Sequence, residues 1–117
     1  MPPDAPDWLR RARALIYDQI GQNFGITEVA REVGVHPSHL ARVFRQYLNE
    51  SPGELLRRVR MDRATREVVL TNLPLKEIAK RAGFSDQAHF CREFRRIHGI
   101  APLEYRHLSE RQRKIAV

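Results

Sequence analysis

Cysteine is nearly missing from these 117 residues. Cys91 stands alone, which excludes an internal disulfide and a cysteine-built zinc site. Long apolar runs are missing too. The longest, such as Val68-Val69-Leu70, fall far short of the ~20 residues that cross a bilayer, and no signal-like apolar region is expected after Met1. No membrane partner is expected, and the cytoplasm is the expected compartment. Glycine is sparse, with six scattered residues, so no glycine-rich loop is available to cradle a phosphate. No nucleophile stands at a telling spacing from a base, and an enzyme is not expected. His39 and His89 lie far apart in sequence. No His-x-x-x-His, carboxylate cluster or second cysteine supports either one as a metal ligand, so packing or capping is their expected role. No cofactor, metal or small-molecule ligand is expected in this chain.

Lysine is scarce as well, but positive charge is not. Twenty-one Lys and Arg stand against 14 Asp and Glu, a net charge of +7. Only Lys76, Lys80 and Lys114 are lysines, so the charge is carried by arginine, whose planar fork suits phosphate and guanine edges. Charge alone leaves the anionic partner open between nucleic acid and an acidic membrane face, and the repeat that follows points to nucleic acid.

The chain repeats itself. Val29-Ala30-Arg31-Glu32-Val33-Gly34-Val35 and Ile78-Ala79-Lys80-Arg81-Ala82-Gly83-Phe84 share one pattern at an offset of 49. The second copy then gains a residue. Leu40-x-Arg42-x-Phe44-Arg45 matches Phe90-x-Arg92-x-Phe94-Arg95, and Asn49-x-x-Pro52 matches Gly99-x-x-Pro102, both at an offset of 50. Two copies of one unit therefore occupy 25–57 and 74–107.

Each copy reads as helix, tight turn, helix. Ile26, Val29, Ala30 and Val33 recur at helical spacing, and Gly34 closes that helix. His36-Pro37 reads as a cap followed by proline at the first helical position. Leu40, Val43, Phe44, Tyr47 and Leu48 form the next apolar stripe, ended by Asn49. In the second copy Leu75, Ile78, Ala79 and Ala82 precede Gly83. Ser85 is then the expected N-cap of a helix that carries Phe90, Phe94 and Ile97 and stops at Gly99. Between the copies, Leu55, Leu56, Val59, Met61, Ala64, Val68, Val69 and Leu70 supply the apolar positions of a central helix. About 19 residues make it roughly 28 Å long, against about 34 Å per turn of B-DNA. A first helix is expected from about Asp7, with Trp8, Leu9, Ala12, Leu15, Ile16 and Ile20 as its apolar set. The expected organisation is a single DNA-binding domain over 1–117: an N-terminal helix and first helix-turn-helix at 7–51, a linker helix at 52–71 and a second helix-turn-helix at 74–108. The ends, Met1 to Pro6 and 109–117, are expected to fray.

The second helix of a helix-turn-helix enters the major groove and offers its early outward positions to base edges. With Leu40, Val43 and Phe44 turned inward, Ser38, Ala41, Arg42 and Arg45 face out. With Phe90 and Phe94 inward, Gln87, Ala88, Cys91, Arg92 and Arg95 face out. Arg42 and Arg92 suit guanine, Gln87 suits adenine, and the small Ser38 and Ala41 permit close approach. Arg45, Arg95 and Arg96 suit phosphates, or acidic neighbours such as Glu50 and Glu93. Two other readings stay open on these residues: non-specific architectural binding driven by charge, and a helical protein–protein adaptor.

From about Ile26 to Arg106 the chain resembles the DNA-binding domain of the AraC/XylS family. The residues that carry the resemblance are Ala30-x-x-x-Gly34-Val35, Leu40-x-Arg42-x-Phe44-Arg45, Ser51-Pro52, Arg60-Met61-x-x-Ala64, Ile78-Ala79-x-x-x-Gly83-Phe84-x-Asp86, His89-Phe90-x-Arg92-x-Phe94-Arg95-Arg96 and Gly99-Ile100-Ala101-Pro102-x-x-Tyr105-Arg106. The resemblance implies an all-α fold of about seven helices, two helix-turn-helix subdomains joined by a long central helix. It implies regulation of transcription at double-stranded promoter DNA and a meeting with RNA polymerase, near the bacterial nucleoid. By the same resemblance, base contacts fall to Ser38, Ala41, Arg42, Gln87, Ala88, Cys91 and Arg92. Asn49, Leu55 and Pro74 depart from the family's usual Gly, aromatic and polar cap. The effector or dimerisation domain of most members has no room here, so a monomer is expected unless a further domain dimerises it.

Overall fold

The computed structural model describes residues 1–18 and 24–116. Among them are seven helices and no strand: α1 (Asp7–Asp18), α2 (Ile26–Val33), α3 (Pro37–Leu48), α4 (Pro52–Leu70), α5 (Leu75–Arg81), α6 (Gln87–His98) and α7 (Pro102–Ala116). Ile20, expected on the first helix, lies outside the described residues. The chain divides into two compact units, Met1–Val59 and Arg60–Val117. The division falls inside α4, because Leu55, Leu56 and Val59 belong to one hydrophobic core and Met61, Ala64 and Val68 to another.

In the first unit, Leu9, Ala12 and Ile16 of α1 meet Val29, Ala30 and Val33 of α2 and Leu40, Val43 and Phe44 of α3. Each large side chain so buried contributes roughly 1.5–3 kcal/mol. The caps follow from the sequence. Gly34 has φ +77°, and Val35 N–H reaches back to the Ala30 carbonyl at 3.0 Å, a closure that only a residue at ease in the left-handed region permits cheaply. His36 caps α3 with its ring, whose Nδ1 accepts from Ser38 N–H at 3.2 Å. Asn49 ends α3 at φ 59°. At the start of α2, Gly25 has no side chain to offer, and the Glu28 carboxylate accepts from Gly25 N–H at 2.9 Å instead.

The second unit repeats the scheme. Ile78, Ala79 and Ala82 pack with Phe90 and Phe94 of α6 and with Met61, Ala64 and Val68. Gly83 has φ +88°, and Phe84 N–H reaches the Ala79 carbonyl at 2.9 Å, the counterpart of the Val35 bond. A buried arginine completes the unit. Arg106 of α7 donates from Nε to the Val68 carbonyl at 2.9 Å and from Nη2 to the Leu73 carbonyl at 2.8 Å. Its charge sits where the dipole of α4 ends in unpaired carbonyls.

Several expectations are corrected. Asp86, not Ser85, caps α6, accepting from His89 N–H at 2.7 Å; the residue gained in the second copy moves the cap one place on. Ile97 is 51% exposed. The last turn of α6 brings His98 inward in its stead, with its ring 4.3 Å from Phe94 and 5.1 Å from Tyr105 and its Nε2 3.0 Å from Thr65 Oγ1. Leu70 is 68% exposed, because it lies two residues past Val68 on the far side of α4 from that core. Over its described part the 109–117 tail belongs to α7, which runs to Ala116 with Arg113 and Lys114 in its last turn, where cations suit the helix dipole. Met1 to Pro6 forms a turn closed by Ala5 N–H on the Pro2 carbonyl at 3.1 Å, and Ala5 is buried.

Candidate nucleic-acid interface

Helical periodicity sorts α3 into two faces. Leu40, Val43 and Phe44 are buried, while Ser38, Arg42 and Arg45 are exposed and Ala41 is half-buried. Residues 38, 41, 42 and 45 are spaced three and four apart, so their side chains form one continuous strip. In α6, Phe90 and Phe94 are buried and Gln87, Ala88, Arg92, Arg95 and Arg96 are exposed. Cys91 differs from the outward place expected of it. It is half-buried and packs at the edge of the second core, and burial pushes its thiol above the ordinary range. A thiol so placed is a weak nucleophile and leaves a small, mostly apolar surface.

The polar members of the strip are already engaged. Ser38 Oγ lies 2.8 Å from His36 Nδ1, in the cap of α3. Arg42 Nη2 donates to His39 Nδ1 at 2.9 Å. Arg45 pairs with Glu54 at 2.9 Å, not with Glu50, which takes Arg58 at 2.7 Å. The Arg45 guanidinium beside Glu54 holds that carboxyl below the usual glutamate range. In the second unit Arg96 pairs with Glu93 at 2.7 Å. Arg92 and Arg95 have no ion-pair partner among the described residues.

Three residues carry more of this geometry than sequence reasoning gave them. Glu54 had a visible signal: Ser51-x-x-Glu54 is a helix-start pattern, and Ser51 Oγ accepts from Glu54 N–H at 3.1 Å. Its carboxylate, however, turns to Arg45. His39 sits three residues before Arg42, a spacing that places two side chains side by side on a helix. Arg106 gave no local signal, because its partners are 38 and 33 residues away.

The family model described as a helix-turn-helix domain matches residues 29–108. The chain belongs to this AraC-type helix-turn-helix family. The AraC-type domain is 32% identical over 105 residues to the arabinose operon regulatory protein of Escherichia coli, covering 89% of this chain and 36% of that protein. Among solved structures, the C-terminal domain of AraT, a response regulator from Geobacillus stearothermophilus, superposes with a TM-score of 0.82 at 32% identity, covering 90% of this chain and 88% of that one. The DNA-binding domain of AdpA, solved in complex with a target DNA, shares the fold with a TM-score of 0.85 at 24% identity, covering 93% and 98%. The chain spans about a third of the length of the first curated relatives it matches. Those relatives are named as a helix-turn-helix-type transcriptional regulator and as operon regulatory proteins.

Proposed function

We propose that this AraC-type domain binds double-stranded DNA sequence-specifically for regulation of transcription, with α3 and α6 as its two recognition helices. The observation that carries the reading is the duplicated arginine. Arg42 and Arg92 stand 50 residues apart at the same place of the repeat, each exposed on the helix after the tight turn. Both are proposed to take guanine edges. Gln87 is proposed to meet adenine, with Ser38, Ala41, Ala88 and the edge of Cys91 allowing close approach of base or methyl. Arg45, Arg95 and Arg96 are proposed to meet phosphates, where the net charge of +7 adds sequence-independent affinity. A meeting with RNA polymerase belongs to the same reading.

Selection from a random duplex pool tests it: two short motifs are expected. Against the selected site, Arg42→Ala and Arg92→Ala should each cost about 1–3 kcal/mol while binding to scrambled duplex changes little. Equal losses on both duplexes would remove base reading from these arginines and leave architectural binding. No duplex binding at about 150 mM salt would point to a protein–protein adaptor.

A further inference from the structure

We propose that His39 is a positioning residue for Arg42, so that the first unit holds its reading arginine ready while the second leaves its own free to move. The inference rests on the base-reading role just given to Arg42. Arginine has five N–H donors and no acceptor, so the 2.9 Å contact between Arg42 Nη2 and His39 Nδ1 assigns the imidazole as acceptor. The ring is therefore neutral and carries its proton on Nε2. The ring is itself steadied from α1, where Trp8 lies 5.6 Å away between centroids. Nη2 has two hydrogens. One goes to the imidazole, and the other remains, beside those of Nη1, for a guanine edge. A guanidinium already held near its reading geometry loses less rotamer freedom on binding.

The repeat supplies an internal control. His89 stands at the place of His39, three residues before Arg92. Its Nδ1 faces Ser85 Oγ at 3.3 Å and its ring meets the edge of Phe84 at 5.5 Å. The extra residue in the second turn brings Ser85 into that place, and the histidine serves the turn. The same pair of residues is thus wired differently in the two copies.

The test is selection from a random duplex pool with the whole chain and four variants: Arg42→Ala, His39→Ala, His39→Asn and His89→Ala. His39→Ala should flatten the same base positions that Arg42→Ala flattens and weaken the selected site by about 3- to 10-fold. Asparagine offers an acceptor oxygen near the place of Nδ1 and should restore most of that preference. His89→Ala should leave the positions read by Arg92 unchanged. If Arg42→Ala flattens a position that His39→Ala leaves sharp, the positioning role falls and base reading stands. If Arg42→Ala flattens nothing, base reading by Arg42 falls and this proposal with it; a wild-type chain that selects no motif overturns the function proposed above. Nitrogen NMR of His39 in the free wild-type chain reads the tautomer directly. A proton on Nδ1 overturns the proposal whatever the variants do.

Discussion

Arg45 is already committed to an acidic partner, Glu54. Its ion pair with Glu54 is solvent-exposed on both sides, and such pairs add little to stability. The pair matters for charge: a phosphate must displace a carboxylate before Arg45 meets it. If Arg45 contacts DNA, Arg45→Ala should reduce the slope of log affinity against log salt by about 0.9. An unchanged slope would mean that Arg45 serves Glu54 alone. Glu54→Gln should tighten binding to random duplex at low salt, since nothing charged then competes for the guanidinium; fluorescence anisotropy measures both. The pair also has a pH signature. The Glu54 carboxyl titrates below its ordinary range, chiefly because Arg45 hydrogen-bonds it. Its contribution to stability is complete above the ordinary glutamate value of about 4.3 and is lost as pH falls through the lowered value. Melting curves of the wild type and Glu54→Gln should therefore differ only slightly at neutral pH, within the small worth of an exposed pair, and converge in acid.

At the scale of the element, the starts and stops of helices were legible wherever the backbone itself makes a demand. Gly34, Asn49 and Gly99 sit at positive φ at the places their spacing marked, because few residues tolerate that conformation. His36-Pro37 was legible for the same reason. Partners chosen by packing were not. Nothing local separates Ser85 from Asp86 as a cap, or Ile97 from His98 as the inward residue of the last turn of α6; the surrounding core decides both. Of the candidate interface, the outward faces of α3 and α6 follow from periodicity, with Cys91 the exception. The engagements of Arg42 and Arg45 depend on rotamers and on residues beyond the stripe. Arg106 is the extreme case, a charge buried by partners more than 30 residues away. Arg106→Ala should cost about 1–3 kcal/mol for each carbonyl left without a donor. Arg106→Lys should recover little, because an ammonium cannot fork between two acceptors as a guanidinium does. Urea unfolding of the three proteins checks the order.

On the scale of the whole molecule, two cores share one chain, and each is small. A unit of about 60 residues is stable by roughly 3–9 kcal/mol. Phe44 and Phe94 are wholly buried, one in each core, and truncating such a ring costs about 3–5 kcal/mol. The loss is of the same size as the stability of the unit that suffers it, so the damage should stay where it is made. Hydrogen exchange reads this directly. Phe44→Ala should strip protection from α2 and α3 and leave α5 and α6 protected, and Phe94→Ala should do the reverse. Equal loss across both units would show one cooperative fold, with α4 transmitting the defect through its continuous backbone ladder. The outcome bears on DNA binding too. If the units unfold separately, Phe44→Ala leaves α6 presenting Arg92 on an intact helix, and the chain should still select the motif of the second unit while losing that of the first.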